Sequence, residues 1–432
     1  MDANRKTAYN TLIDVESKKS YSNLALNHHI ICSKPNSAAF VRELVYGVLE
    51  NKMLLDYTIN ALIPKDVKKV KLSDLTILRM GIYQLAYMNS VPEYAAVNES
   101  VVLAKRYAKG REGFINGVLR SYIAEKFTIK LPDRTENEVE YLSVKYSFEP
   151  WIIQLWMESY DVDFVEELLK ASNQTAETTI RLNWLKVMKP DLIRSLQEKG
   201  FTVTEGKYSQ NALHVSGGDL INSNLYANGF FSIQDEASQV AAQMLDPQQG
   251  DFIMDVCAAP GGKTLAIAEK MNNRGKIIAS DIYKRKVEII DKEAKRLGVS
   301  IIETKTWDGT KVDSSMLGKA DRVIADVPCS GLGVIRRKPE IKYKQHTEEM
   351  ALLPRKQKAI LSAASKYVKP GGVLMYSTCT INPYENEHVV SDFLRKNPSF
   401  EVEETKQLLP NINDTDGFFI CKMIKNDSLI EK

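Results

Sequence analysis

The chain has 432 residues, more than a single domain usually holds, so its length predicts two or three domains. Hydrophobic residues make up 44% of the sequence and charged residues 26%, as in an ordinary soluble globular protein. The sequence contains no run of about 18 uncharged apolar residues, which argues against a membrane span. The formal net charge of +3 does not by itself indicate a nucleic-acid-binding protein, so any phosphate-binding surface has to be a local patch.

The cysteines and the first residues predict a cytoplasmic protein. The cysteines are few, odd in number and widely scattered: Cys32, Cys257, Cys329, Cys379 and Cys421. This pattern is typical of thiols in a reducing compartment rather than of a disulfide framework. With neither a CxxC pair nor a His/Cys cluster in the sequence, we expect no metal site. Residues 1–15 are polar and patterned like a helix, unlike a secretory signal.

The first third of the chain predicts an all-α bundle. Apolar residues recur at intervals of three and four over residues 40–49 and again over 75–85, as on one face of a helix. Ser73 is a candidate N-cap for the second of these helices. Glycine and proline are sparse in this region, and strand-like alternation is lacking.

The middle of the chain, residues 130–229, has a mixed pattern. Residues 132–134 and the acidic stretch after them predict a linker. An amphipathic helix is predicted over 150–157, a strand over 179–183, and a helix over 192–199 that ends at Gly200. Together these elements indicate a small α+β module.

From residue 252 onward, apolar strands alternate with amphipathic helices. Strands are predicted over 252–256, 277–281, 301–305, 322–327 and 373–377, with a helix over 287–297. This alternation predicts a parallel sheet covered on both faces. Because ligands of such sheets bind beyond the carboxyl ends of the strands, the motifs at those ends carry the functional information.

The first of these motifs is Asp-Val-Cys-Ala-Ala-Pro-Gly-Gly-Lys-Thr at residues 255–264. A turn of small residues between a strand and a helix lets a ligand approach the backbone, and the helix N-terminus offers amide donors to an anionic group. The motif has the spacing of neither a dinucleotide-binding turn nor a P-loop. Asp281 ends the next strand, 20 positions after Gly261 (281 − 261), where an acid can bond a ribose hydroxyl. A nucleoside-type ligand is therefore predicted.

Two cysteines follow later strands. Asp-Val-Pro-Cys-Ser-Gly spans residues 326–331, and Ser-Thr-Cys-Thr spans residues 377–380. Cysteines at equivalent ends of two strands should face the same crevice, where nearby donors favour a thiolate. A carboxyl group such as Asp326 beside a thiol is suited to chemistry on a heteroaromatic base. Either cysteine taken alone is more typical of a buried structural residue.

At these three motifs the sequence resembles the RsmB/Sun family of RNA cytosine-5 methyltransferases, over roughly residues 179–423. The runs at 232–238 and 416–419 share in the resemblance. Residues 96–99 and 114–120 resemble NusB, an RNA-binding helical domain. The resemblance implies a multidomain protein: a NusB-like bundle over 1–128, a linker and small α+β (RRM-like) module over 129–230, and a Rossmann-like class I methyltransferase domain over 231–432.

The resemblance also implies a cofactor, S-adenosylmethionine, and a role for each motif residue. The methionine part of the cofactor would lie against Cys257, Ala258, Ala259, Pro260, Gly261, Gly262 and Lys263. Asp281 would hold the ribose, and Asp308 the adenine side. Asp326 would bond the target base and lie close to the cofactor. Cys379 would be the nucleophile, and Cys329 would assist product release.

The implied reaction is methylation of carbon 5 of one cytosine of 16S ribosomal RNA, cytosine 967, through a covalent adduct between Cys379 and carbon 6. DNA cytosine-5 methyltransferases attack with the cysteine of a Pro-Cys motif, so chemical logic alone leaves both Cys329 and Cys379 open as the nucleophile. RNA contacts are expected at Arg336, Arg337 and Lys338, and a further basic cluster contains Lys65, Lys68, Lys69 and Lys71.

Two alternatives remain open from the sequence. One is an RNA-binding assembly factor with an inactive methyltransferase domain, although an inactive site has no need of Asp326, Cys329 and Cys379 together. The other is a methyltransferase that acts on DNA or tRNA. We expect a monomer that acts on small-subunit ribosomal RNA, and neither DNA nor a membrane as a partner.

Overall fold

The computed structural model describes residues 1–64, 66–343 and 348–426. They form two compact units. Unit 1 contains Met1–Gln174 and the described part of 335–345, and unit 2 contains the rest from Thr175 onward. Lys65, which the sequence places in a basic cluster, lies outside the described residues. The domain boundaries after residues 128 and 230 remain predictions. Across the described ranges, no helix is both long and apolar enough to cross a membrane.

Unit 1 is helical, as the sequence predicts. Its α-helices are α1 Ala3–Ser17, α2 Ser22–Ser33, α3 Ala38–Glu50, α4 Lys52–Leu62, α5 Leu72–Tyr87, α6 Glu93–Tyr107, α7 Glu112–Glu125, α8 Glu138–Tyr146, α9 Pro150–Met157 and α10 Val162–Ser172. Helix α9 has the bounds that its amphipathic pattern predicts. Helix α8 falls where the sequence indicates only an acidic linker.

Helix α3 illustrates why this sequence forms a bundle. Ser37 caps the helix, since its side chain accepts a hydrogen bond from the amide of Phe40. Val41, Leu44 and Val48 follow at helical spacing and are buried in the core of unit 1. Burial of each such side chain stabilises the fold by about 1.5–3 kcal/mol.

The predicted N-cap of helix α5 is wrong. The helix begins at Leu72, and Lys71 occupies the cap position. Ser73 therefore lies inside the first turn, and its hydroxyl donates to the carboxylate of Asp74 at 2.9 Å instead of capping the helix. A serine inside the first turn has the same local sequence pattern as a capping serine, so the pattern could not separate the two positions.

Residues 335–343 also belong to unit 1, although residues 175–334 of unit 2 separate them from its main segment, which ends at Gln174. The segment ends in a 3₁₀ helix, Pro339–Tyr343. Lys342 is fully buried there and donates to the carbonyl of Glu50 at 2.7 Å and to Oδ1 of Asn173 at 2.8 Å. Burial lowers the pKa of Lys342 to about 7. The segment is thus part of the core of unit 1.

Unit 2 begins with a small antiparallel sheet, which confirms the predicted α+β module. Its elements are β1 Thr178–Leu182, α11 Lys189–Glu198, β2 Thr202–Glu205, β3 Ala212–Ser216, α12 Asn224–Ala227 and β4 Phe231–Ile233. The strand order is β2-β3-β1-β4. Ile180 and Leu213, paired across β1 and β3, are both buried in the module's core.

A seven-stranded sheet forms the rest of unit 2, in the order β10-β11-β9-β8-β5-β6-β7. Its strands are β5 Phe252–Asp255, β6 Lys276–Asp281, β7 Ile302–Thr306, β8 Ala320–Asp326, β9 Val368–Thr378, β10 Phe400–Leu408 and β11 Phe418–Lys425. The helices are α13 Glu236–Met244, α14 Gly262–Lys270, α15 Lys284–Leu297, α16 Glu348–Ala351, α17 Leu353–Ser365, α18 Glu387–Lys396 and α19 Pro410–Asn413.

The predicted strands form a parallel sheet, and at one edge the sheet continues into two strands that the sequence did not predict. Strands β5 to β9 are parallel, but β11 is antiparallel to both β9 and β10. Only residues 409–417 separate β10 from β11, and a parallel return needs a crossover of a dozen residues or more. The short connection therefore dictates the antiparallel pairing.

The sheet brings the ends of four motif strands to one edge. Asp255, Asp281, Asp326 and Thr378 are the last residues of β5, β6, β8 and β9. The chain proceeds from β5 to β6 and β7 on one side, whereas β8 and β9 lie on the other. Such a change of direction opens a crevice at the carboxyl ends of the strands, which is where ligands of this architecture bind.

Candidate active site

The two cysteines that follow β8 and β9 meet in the crevice. Their sulfur atoms lie 3.4 Å apart, although the residues are 50 positions apart in the chain. Both side chains are half-buried. The separation exceeds a disulfide bond of about 2.05 Å and fits a thiol that donates to a sulfur acceptor. The convergence of Cys329 and Cys379 that the sequence predicts is therefore observed.

The surroundings of Cys329 favour its neutral thiol. The hydrogen bond with Cys379 raises the pKa of the Cys329 thiol well above its ordinary value, and burial and the nearby Glu385 carboxylate act in the same direction. Cys329 is accordingly favoured as a neutral thiol, and in its contact with Cys379 either sulfur can be the donor.

Asp326 connects the end of strand β9, which leads to Cys379, with the turn after β5. Its Oδ1 accepts from the hydroxyl of Ser377 at 2.8 Å, and its Oδ2 accepts from Nζ of Lys263 at 2.7 Å. The ammonium of Lys263 also lies 4.6 Å from the ring centroid of Phe418. The carboxyl group is about 29% exposed, so it remains open to a ligand in the crevice.

The turn after β5 is built to bring backbone amides close to a ligand. Gly261 has a φ of 105°, which other residues rarely adopt, and it precedes the first residue of helix α14. A Cβ at this position would lie 3.2 Å from Cγ1 of Ile290, so a side chain would crowd the turn. The amides at the N-terminus of α14 are suited to bind a carboxylate.

A buried carboxyl group fixes the base of this turn. Asp255 accepts from the hydroxyl of Thr264 at 2.7 Å and from the amide of Cys257 at 3.3 Å. Burial raises the pKa of Asp255 to about 7, and the charge of Asp326 adds to this effect. Burial together with the charge of Asp255 also raises the pKa of the Cys257 thiol. Cys257 thus lines the turn as an uncharged thiol.

The remaining predicted cofactor residues lie at the same edge of the sheet. Asp281 ends β6, and its carboxylate accepts from the amide of Tyr283 at 3.0 Å. Asp308 follows β7, and hydrogen bonds from the hydroxyl and the amide of Thr310 lower its pKa. A Cβ at Gly309 would lie 3.0 Å from the carbonyl oxygen of Val256, so this loop packs directly against the turn after β5.

Sequence reasoning missed an arginine that supports the turn from the small module. Arg181 on β1 donates to the carbonyl of Gly262 at 2.8 Å and pairs with Glu269 at 2.7 Å. Arg181 and Glu269 are both nearly fully buried. A buried arginine with satisfied partners costs much to remove, so the module is a structural support for the turn. A single arginine in a predicted strand gives no sequence signal of this role.

Two further polar residues, Glu385 and Asn386, were not predicted from the sequence. Both are buried between the loops of the two cysteines. They lie in the run Asn-Pro-Tyr-Glu-Asn-Glu at residues 382–387, shortly after Cys379. A polar run next to a candidate nucleophile is the only signal that could have drawn attention to them.

The basic residues expected to contact RNA belong to unit 1. Arg336, Arg337 and Lys338 are half-buried, and Nζ of Lys338 lies 5.1 Å from the ring centroid of Tyr21. Asp326, Cys329, Cys379 and the turn at 257–263 all belong to unit 2.

The residues of the crevice fit S-adenosylmethionine. Its groups are a carboxylate, an ammonium, a ribose diol and an adenine. The turn before α14 offers backbone amide donors, and a side chain at Gly261 would crowd this turn. Asp281 offers a carboxylate to a diol at the end of the adjacent strand. The fold and this site together define a class I S-adenosylmethionine-dependent methyltransferase.

Three family models match the chain. They are the 16S rRNA methyltransferase RsmB/F model over residues 242–424, the NusB family model over 2–124, and the RsmF/B-like ferredoxin-like domain model over 148–219. A protein of Bacillus subtilis (strain 168) named "Probable ribosomal RNA small subunit methyltransferase B" is 36% identical over 98% of both chains. This chain belongs to the ribosomal RNA small subunit methyltransferase B family, whose methyl donor is S-adenosylmethionine.

Two solved structures share the fold. The crystal structure of PH0851 has a TM-score of 0.84 and 25% identity, and the match covers 98% of this chain and 99% of that one. The crystal structure of NSun6 from Pyrococcus horikoshii with SFG has a TM-score of 0.59 and 24% identity. That match covers 63% of this chain and 97% of the other.

Proposed function

We propose that this protein methylates carbon 5 of a cytosine in 16S ribosomal RNA, cytosine 967, through a covalent bond between Cys379 and carbon 6 of the base. The observation that carries the proposal is the 3.4 Å separation of two thiols that follow β8 and β9, together with Asp326 at the end of β8, whose carboxylate is bonded to Lys263 of the cofactor turn. Two thiols and a carboxyl group are the groups that a covalent route through a pyrimidine requires.

Carbon 5 of cytosine is too weak a nucleophile to take a methyl group unaided. In the proposed first step, the Cys379 thiolate forms a bond to carbon 6, and the π electrons of the C5–C6 bond move toward carbon 5 and ring nitrogen 3. Asp326 would lie at ring nitrogen 3 and accept a hydrogen bond from this nitrogen once it has taken up a proton from solvent, which disperses the charge that the addition produces. Lys263 donates to Asp326 and so keeps this carboxyl group in place.

Bound S-adenosylmethionine supplies an electrophilic methyl group. The turn from Cys257 to Lys263 would hold its methionine part, Asp281 the ribose and Asp308 the adenine side. Once carbon 5 carries the methyl group, its proton has to leave. A water would accept this proton, and the neutral thiol of Cys329 would donate to the sulfur of Cys379 as that sulfur leaves. The electrons of the C5–H bond then restore the C5–C6 double bond, and the bond from Cys379 to carbon 6 breaks.

The target base has to leave its stack to reach the crevice, so RNA must be held near it. We propose that Arg336, Arg337 and Lys338 contribute phosphate contacts, because three adjacent cationic side chains form a local patch on a chain of low net charge. We further propose that the protein acts as a monomer in the cytoplasm, with neither DNA nor a membrane as partner.

Labelled S-adenosylmethionine tests the proposed substrate. The protein is incubated with separate pools of unmodified 16S ribosomal RNA, tRNA and DNA, and the labelled nucleotide is mapped. The proposal predicts 5-methylcytosine at one position of 16S ribosomal RNA. Label in tRNA or DNA alone would contradict the substrate assignment. Incorporation into none of the pools would favour an RNA-binding assembly factor with an inactive domain.

A further inference from the structure

Glu385 is a carboxylate, 1% exposed, that holds the loop of Cys329 from both sides. Its Oε2 accepts from the backbone amide of Ser330 at 2.9 Å and from Nε2 of Gln357 at 2.8 Å. The same Nε2 of Gln357 donates to the carbonyl oxygen of Pro328 at 2.9 Å. The residues immediately before and after Cys329 are therefore both tied to Glu385, one of them through Gln357.

The next residue, Asn386, holds the loop of Cys379 in the same way. Its Oδ1 accepts from the hydroxyl of Thr378 at 2.6 Å, and its Nδ2 donates to the carbonyl oxygen of Thr380 at 3.1 Å. Glu385 and Asn386, which are consecutive in the chain, thus fix the residues that flank Cys329 and Cys379. A hydrogen bond between the hydroxyls of Ser330 and Thr380, at 2.7 Å, joins the two loops directly.

The charge of Glu385 has a second consequence. Its carboxylate is among the groups that keep Cys329 protonated, so the group that fixes the loop also favours the neutral thiol. Three donors converge on its two oxygens, from Ser330, Gln357 and Asn382. A glutamine in this place would present an amide N–H₂ to at least one of them, so only a carboxylate satisfies all three.

We propose that Glu385 is a positioning residue for the second stage of the reaction: it sets the placement of Cys329 relative to Cys379, and thereby the resolution of the covalent RNA adduct. The inference rests on the proposed function, because it needs an adduct to resolve. Independently of catalysis, the same role requires that the distance between the sulfurs of Cys329 and Cys379 depends on the Glu385 carboxylate.

The experiment compares Glu385→Gln with Glu387→Gln, in which an exposed acid two positions later is neutralised in the same way. Single-turnover reactions are quenched in denaturant at successive times, and adduct and product are quantified. We expect Glu385→Gln to resolve the adduct about tenfold more slowly, the effect of removing one hydrogen bond to a charged group, with adduct formation nearly unchanged. Glu387→Gln should match the wild type. Equal slowing of formation and resolution, or wild-type resolution, would overturn the inference.

A second measurement does not depend on turnover. The rate at which diamide joins Cys329 to Cys379 reports the distance between the thiols, and we expect it to fall severalfold in Glu385→Gln and in Gln357→Met but not in Glu387→Gln. Unchanged rates in both variants would refute the positioning role. Affinity for S-adenosylmethionine identifies any variant that fails to fold. If the adduct is absent in every protein, Cys329→Ala included, while the cross-linking rates change as expected, the proposed function fails and the geometric claim stands.

Discussion

The sulfur of Cys329 lies 3.4 Å from the sulfur of Cys379, within the crevice of unit 2. Each thiol follows the end of a strand, and the two strands, β8 and β9, are parallel neighbours in the sheet. The register Asp326↔Ser377 places the two loops at the same height. The pairing of the thiols is therefore a direct consequence of strand order.

The first prediction concerns this proximity. Mild oxidation with diamide should join Cys329 to Cys379, because two adjacent sulfurs need little movement to reach bonding distance. The two thiols are oxidised to a disulfide while the azo group of diamide is reduced to a hydrazine. Peptide mass spectrometry should show the cross-linked pair, and a reductant should restore activity. Oxidation that links the exposed Cys32 between molecules but leaves this pair reduced would count against the geometry.

The second prediction concerns the ion pair of Lys263 and Asp326. Lys263→Met should weaken both binding of S-adenosylmethionine and turnover by about tenfold or more, because it leaves a half-buried carboxylate without its cation. Lys270→Met is the matched control at the other end of α14, where the lysine pairs with the half-exposed Asp246. Isothermal titration with the cofactor, together with turnover at saturating RNA, measures both effects. Equal behaviour of the two variants would contradict a role for the ion pair.

The third prediction follows from the pKa of Asp255, which burial raises to about 7. The carboxyl group keeps its proton in the folded state while the unfolded chain has already released it. Its stabilising contribution is therefore complete below about pH 4 and is lost as the pH rises through 7. Urea unfolding at pH 5 and pH 8 should show a larger loss of stability for the wild type than for Asp255→Asn, which has no proton to release. Parallel curves for the two proteins would disprove the assignment.

The fourth prediction concerns the basic patch. Substitution of Arg337 and Lys338 by glutamine should weaken RNA binding at low salt and reduce the slope of log affinity against log salt by about one for each phosphate that is no longer neutralised. Lys19, an exposed lysine outside the patch, provides the control. Binding measured over a series of salt concentrations gives the slope. An unchanged slope in the double variant would rule out phosphate binding at these positions.

Much of the catalytic half was predictable because its signals are local. Apolar runs of strand length place Asp281 at a predicted strand end and Asp255 and Asp326 one residue before one, and in the structure each is the last residue of its strand. Strand direction is not local. The pattern of β11 is that of any buried strand, and only the short connection from β10 makes it antiparallel.

The local sequence also does not indicate which polar side chains become buried. Glu385 has the local pattern of a solvent-exposed acid at the start of a helix, yet tertiary packing buries it among three donors. Arg181 lies in a predicted strand whose pattern does not identify a partner, yet it meets Glu269, 88 positions away. Such residues become visible only when the loops they connect have been brought together.

Trapping of the RNA adduct tests the central claim most directly. Cys379→Ala, Cys329→Ala and the double variant are each incubated with S-adenosylmethionine and unmodified 16S ribosomal RNA, then run on a denaturing protein gel. If Cys379 attacks the base and Cys329 assists its release, only Cys329→Ala should accumulate a protein–RNA band that survives denaturation. A band in Cys379→Ala and none in Cys329→Ala would reverse the two roles and contradict the account.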